Sequence, residues 1–130
     1  MSILGILGQR DVKGLKMSTV RETREITNNI SEIILNGDVD FSSSHEIKSA
    51  IKRQIKTGRT HIILNFYNVD YVESSGLEII EKAQEFLNTK NGNIYIVCPE
   101  NQIKKVFEIS GIDEYMNIFN NEQEALNFIK

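Results

Sequence analysis

From His61 to Leu87 the chain reads H-I-I-L-N-F-Y-N-V-D-Y-V-E-S-S-G-L-E-I-I-E-K-A-Q-E-F-L, and this stretch decides the fold. Ile62, Ile63, Leu64 and Phe66 form a nearly continuous apolar run, the pattern of a strand covered on both faces, so a strand is expected over 61–66. Ile79, Ile80, Ala83, Phe86 and Leu87 then recur at helical spacing, which predicts a helix from about 75 to 90 that Asn91-Gly92 ends. Between the two lie Glu73, Ser74, Ser75 and Gly76, where the helix must begin. A hydroxyl there can accept from a free backbone N–H, and the helix dipole favours negative charge nearby. The same place therefore suits a cap and suits a phosphate.

Upstream, Thr19 to Ile26 alternates weakly and carries many charges, as an edge strand does. Asn28-Asn29 predicts a turn, and Ile30 to Leu35 a second strand closed by Asn36-Gly37, so the two strands read as a hairpin. Asp38-Val39-Asp40-Phe41 leads into Ser42-Ser43-Ser44, where Ser43 with Glu46 fits a capping box. Ile47, Ala50, Ile51 and Ile55 then give the stripe of a first helix, stopped by Gly58. Downstream, Ile94 to Cys98 reads as a buried strand, and Pro99 as the approach to a third helix bearing Ile103, Val106, Phe107 and Ile109, closed by Gly111. Tyr115 to Phe119 reads as a short strand, and Asn121 with Glu124 as the start of a last helix carrying Ala125, Leu126, Phe128 and Ile129. Strand–helix alternation after a hairpin implies an α/β domain: a mostly parallel mixed sheet of four to five strands flanked by about four helices.

One hundred and thirty residues suit one domain with one core. Residues 1–16 are set apart as an N-terminal extension, a flexible arm or appended remnant, and 17–130 as the domain. The apolar cluster Ile3, Leu4, Ile6 and Leu7 lacks a basic region ahead of it and is too short for a signal core or a membrane span. Fifteen basic against eighteen acidic residues give a net charge of −3, the wrong sign for a nucleic-acid binder. A single cysteine, Cys98, excludes an internal disulfide and reads as a buried inert thiol. Reducing cytoplasm is the expected compartment, with no membrane insertion.

In an open α/β sheet, binding surfaces gather at the carboxyl ends of the strands. That edge would hold Asp38, Asp40, Ser42, Ser43, Asn68, Asp70, Glu73, Ser74 and Ser75. Enzyme chemistries find little support among them. Nucleophilic hydrolysis needs a histidine near a serine, yet His45 falls early in the first helix and His61 at the opposite end of the central strand. One cysteine and two scattered histidines make no zinc pattern, and no Walker-type loop or G-x-G-x-x-G follows a strand. The paired acids Asp38 and Asp40 could hold Mg²⁺, but acids in turns are usually solvated or capping. A receiver-domain reading fails because Asn65 stands where the phosphate-accepting aspartate would be. No cofactor and no metal are expected. Ser74 and Ser75 remain, either as ordinary helix caps or as a phosphoacceptor pair.

V-D-Y-V-E-S-S-G-L-E-I-I after I-I-L-N-F resembles the signature of STAS domains, an apolar strand followed by Asp-Ser-Ser-Gly-Leu. L-N-G-D-V-D resembles the family's turn before the first helix, and V-F-E-I-S-G-I-D-E-Y its Ser-Gly element near the end, so the likeness covers about 20 to 130 in the right order. Within the family the chain is most similar to anti-sigma factor antagonists. That resemblance implies a non-enzymatic regulator of a partner-switching pathway. It would bind an anti-sigma factor that is also a serine kinase of the histidine-kinase-like ATPase type, and a PP2C-type phosphatase would reverse the modification. It puts the acceptor on Ser75 and the docking surface on Asp38, Asp40, Phe41, Ser42, Ser43, Tyr71, Glu73, Ser74, Gly76 and Leu77. Phe41, Tyr71 and Leu77 are the expected anchors, and Gly76 the place where a partner's backbone comes close. Glu73 departs from the family's aspartate by one methylene, a poorer length for capping its own helix. Two other readings stay open: a constitutive STAS subunit of a lipid-transport or other membrane-associated complex, and a module sensing a nucleotide or small ligand at the same edge.

Overall fold

Strand order follows chain order, and this places the helices. The computed structural model describes residues 18–99 and 101–129; the expected N-terminal extension lies outside them. Among these residues run β1 (Val20–Glu25), β2 (Ile30–Val39), α1 (Phe41–Lys56), β3 (His61–Val72), α2 (Ser74–Asn88), β4 (Asn93–Val97), α3 (Gln102–Ser110), a 3₁₀ turn (Ile112–Glu114), β5 (Asn117–Phe119) and α4 (Glu122–Ile129). The sheet order is β1-β2-β3-β4-β5, with β1 antiparallel to β2 and every later pair parallel. Parallel crossovers are right-handed, so three crossovers stepping in one direction put α1, α2 and α3 on one face of the sheet. The cores agree. Ile33, Leu35, Ile62, Leu64, Phe66, Ile94 and Ile96 pack with residues of α1, α2 and α3 in one cluster. Ile30, Ile63, Tyr95 and Val97 pack with Ala125 of α4 in another. Phe66 meets Phe107 of α3 edge to face, with ring centres 5.1 Å apart.

The hairpin, the parallel sheet and the four helices match the expectation. The lengths of the central strands do not. β2 continues past Leu35 to Val39, and β3 past Phe66 to Val72. The register explains why the pattern hid this. Ile34 pairs with Asn65 but Asn36 with Asn68, and Gly37 pairs with Val69 but Asp38 with Tyr71, so β3 carries an extra residue at two places. Each bulge breaks the two-residue period. The buried positions of β3 therefore step from Phe66 to Val69 to Val72, three apart.

Three local expectations are also corrected. The α1 cap is Asp40, boxed with Ser43, and not Ser43 with Glu46. Glu46 instead takes the backbone N–H groups of Thr19 and Val20, both at 2.9 Å, and the Ser18 hydroxyl, tying the start of β1 to α1. Ile109 is 87% exposed and so lies outside the α3 stripe; Phe86 and Phe128 are also exposed. The last short strand is Asn117–Phe119, because the residues before it wind into the 3₁₀ turn. Among the described residues no helix is long and apolar enough to cross a membrane.

Candidate functional site

β2 and β3 end side by side, and α1 and α2 begin directly after them, so two helix N-termini share the carboxyl edge of the sheet. Asp40 caps α1: its Oδ1 accepts from the Ser43 amide at 3.1 Å and from the Ser42 hydroxyl at 2.8 Å. The Ser43 hydroxyl in turn accepts from the Asp40 amide at 2.9 Å and donates to the Asp38 carbonyl at 3.0 Å. The β2 end is locked to the α2 start, since the Glu73 amide donates to the Val39 carbonyl at 3.0 Å. At Gly76 an added Cβ would fall 2.5 Å from Val39 Cγ1, closer than real contacts allow.

Glu73 is the N-cap of α2, yet its side chain makes no capping bond to that helix. It reaches across instead. Oε1 accepts from the Phe41 amide of α1 at 3.1 Å and from the Ser75 hydroxyl at 3.3 Å, while Oε2 accepts from the Tyr71 hydroxyl at 3.3 Å. The extra methylene that makes glutamate a poor local cap lets it satisfy an orphan amide of the neighbouring helix, whose dipole favours the charge. The Glu73 carboxylate, with smaller contributions from Asp38 and Asp40, pushes the Tyr71 phenol above its ordinary range.

Phe41 is 78% exposed and Tyr71 50%; Asp38, Ser42 and Ser74 are exposed too. Ser75 is half-buried, and its hydroxyl is turned toward the Glu73 carboxylate. Leu77 is half-buried and leans on the core. Two expected contact residues do not face outward. Ser43 is buried because its hydroxyl serves the α1 cap, and Gly76 is buried because Val39 of the same chain fills the space a partner's backbone was expected to use. Tyr67, which the pattern did not single out, is exposed on β3 within the first bulge; the break in alternation at N-F-Y-N was its only signal.

The sheet order never reverses, so this edge has no switch point with helices on opposite faces to open a ligand crevice. It is a surface edged by exposed aromatic rings and by Asp38, Asp40, Asp70 and Glu73. His61 lies at the other end of β3, with Nδ1 2.8 Å from the Tyr95 hydroxyl and its pKa lowered by burial. His45 is exposed on α1. Among the described residues neither histidine is hydrogen-bonded to a serine of α2.

Comparison with known proteins agrees with this geometry. Residues 22–125 match the STAS domain family. The chain is 26% identical over 87 residues to the anti-sigma-B factor antagonist of Staphylococcus aureus, covering 67% of this chain and 81% of that protein. It is 27% identical over 93 residues to the anti-sigma F factor antagonist of Paenibacillus polymyxa, covering 71% and 80%. Its fold is similar to that of the anti-sigma factor antagonist SpoIIAA of Bacillus. The unphosphorylated form gives a TM-score of 0.72 at 26% identity, covering 83% of this chain and 94% of the other. The phosphorylated form gives 0.66 at 26% identity, covering 84% and 98%. Sequence match, fold and the Ser-Ser-Gly helix start agree, and the chain belongs to the STAS domain family.

Proposed function

We propose that this protein is a non-enzymatic partner switch: it binds an anti-sigma factor that is also a serine kinase, and phosphorylation of Ser75 releases it. The observation that carries the reading is Ser75 itself, half-buried in the first turn of α2 with its hydroxyl 3.3 Å from the Glu73 carboxylate. That carboxylate also holds the Phe41 amide and the Tyr71 hydroxyl, so one group links the modified residue to the two exposed aromatic anchors.

A phosphate brings about −1.5 to −2 charges at neutral pH. Placed on Ser75 it stands against Glu73, and two anions at hydrogen-bond distance repel. Glu73 swings away and gives up Phe41 and Tyr71. The first-turn amides of α2 and the helix dipole take the new charge, so the domain stays folded. The cost falls on the complex, because a partner docked on this edge would have to desolvate the phosphate beside Asp38, Asp40 and Asp70. A PP2C-type phosphatase restores the binding form.

Two experiments test this. Incubation with the kinase and ATP, followed by mass spectrometry, places one phosphate on Ser75 and none on Ser75→Ala. A pull-down with the anti-sigma partner retains wild type and Ser75→Ala and loses Ser75→Asp. Phosphate on another residue, or equal retention of Ser75→Asp, overturns the proposal.

A further inference from the structure

α1 and α2 lie next to each other on the same face of the sheet, and between them runs a groove of about 620 Å³ that begins beyond the Ser75 edge. Its floor is apolar: Ile51 and Ile55 from α1, Ile79, Ala83 and Phe86 from α2. Its rim is basic: Lys48, Lys52, Lys56 and Lys82, against one glutamate, Glu78. The whole chain carries a net −3, so this concentration of lysines runs against the composition. Lys82 is engaged with Glu78 at 3.7 Å, and Lys90 lies 5.6 Å from the centre of the Phe86 ring at the far end. Lys48, Lys52 and Lys56 are exposed and make no ion pair among the described residues.

The spacing of those three selects the occupant. Four residues apart, they stand on one ridge of α1, a charge about every 6 Å along roughly 12 Å of groove. A fatty acid carries one charge at one end, and its alkyl chain would leave two of the lysines unanswered. The chain's own first seventeen residues hold an apolar cluster, but Arg10, Lys13 and Lys16 against Asp11 make them basic, which repels the row. A helix with acidic residues one turn apart matches the row charge for charge, while its apolar side covers the isoleucines. Amphipathic helices dock in grooves of this kind through their apolar side.

We propose that the α1–α2 groove is a second docking site that takes an acidic amphipathic helix of a partner protein, separate from the Ser75 edge. The row gives register and salt sensitivity, and the isoleucine floor gives buried area. Because groove and switch edge share α1 and α2 but no side chain, one partner can hold the groove while the edge is modified.

The test uses the full chain and a fluorescein-labelled, fifteen-residue designed helix with leucine along one side and glutamate at every fourth position beside it. The matched control carries lysine for each glutamate. By fluorescence anisotropy the acidic peptide binds and the basic one binds at least tenfold more weakly; raising salt from 50 to 500 mM weakens the acidic peptide several-fold. Its amide shifts map to residues 48–56 and 78–86. The triple variant Lys48→Glu/Lys52→Glu/Lys56→Glu loses at least tenfold in affinity, and the milder Lys52→Gln loses part of it, each with unchanged circular dichroism. Ser75→Asp leaves peptide affinity unchanged, so failure here is distinguishable from failure of the Ser75 switch. Equal binding of the two peptides, unchanged affinity in both lysine variants, or shifts confined to the Ser75 edge overturns the proposal. So does laurate shifting the groove amides where the acidic peptide does not, or self-association by sedimentation that the triple variant abolishes. Those last two outcomes assign the groove to a lipid and to a second copy, respectively.

Discussion

At Gly76 two effects of opposite sign meet. Alanine inside a helix is worth about 1 kcal/mol over glycine, yet here its Cβ would sit 2.5 Å from Val39 Cγ1. Overpacking a buried contact costs about 1–3 kcal/mol, so Gly76→Ala is expected to be net destabilising in urea unfolding. In a Val39→Ala background the 2.5 Å contact is gone, the Val39 carbonyl at 3.3 Å remains, and part of the helix gain should reappear, a coupling that a double-mutant cycle reads directly. Glu73 gives a second test at this scale. Glu73→Asp is too short to reach Phe41 but long enough to cap α2, so global stability should change by no more than about 1 kcal/mol while the Phe41 amide exchanges faster with solvent. An unchanged Phe41 exchange rate would mean that the cross-loop bond does not hold α1.

At the scale of an element, β2 carries an internal acid. Glu32 is fully buried on the α4 side of the sheet, accepts from Asn65 Nδ2 at 2.9 Å, and lies 3.9 Å from Arg24 Nε. Arg24 divides its charge with Glu122 at 3.1 Å. Burial is the main reason the Glu32 pKa is raised, with the Glu122 carboxylate adding to it. A raised carboxyl pKa means that the folded state holds the proton more tightly than the unfolded chain. Below the unfolded value, near 4.5, Glu32 is protonated in both states and costs nothing by titration. As pH rises from there through the folded pKa, stability is lost. Glu32→Gln should therefore be more stable than wild type at pH 7, with the difference shrinking as pH falls toward 4.5. Thermal melts across that range check this, and a wild-type advantage at pH 7 would sink it. Gln84 of α2 is the opposite case: Oε1 accepts the Ile94 amide at 2.8 Å, and Nε2 donates to Asn88 and Asn93. Gln84→Leu leaves that buried amide unpaired and should cost about 1–3 kcal/mol in urea unfolding.

For the whole molecule, the proposed switch predicts a charge event without a fold event. Ser75→Glu should keep the far-ultraviolet circular dichroism of wild type and a similar Tm, while binding of the anti-sigma partner is lost. An unfolded Ser75→Glu protein would show that the α2 start cannot carry an anion. The layered arrangement explains the separation: the sheet and the three helices on one face bury their contacts between layers, whereas Ser75, Phe41 and Tyr71 stand at the sheet's edge.

Period and punctuation in the sequence determined the elements, their order, the α/β class, the helix start at Ser74-Ser75 and the family resemblance, because each is a matter of neighbours along the chain. The two bulges of β3, the burial of Ser43 and Gly76, the exposure of Tyr67 and Ile109, and the reach of Glu73 to the Phe41 amide were decided only by tertiary structure. The lysine ridge of α1 is written at every fourth residue. It becomes the rim of a groove only when α2 lies beside it, and that placement comes from crossover handedness and sheet order, which no local pattern records.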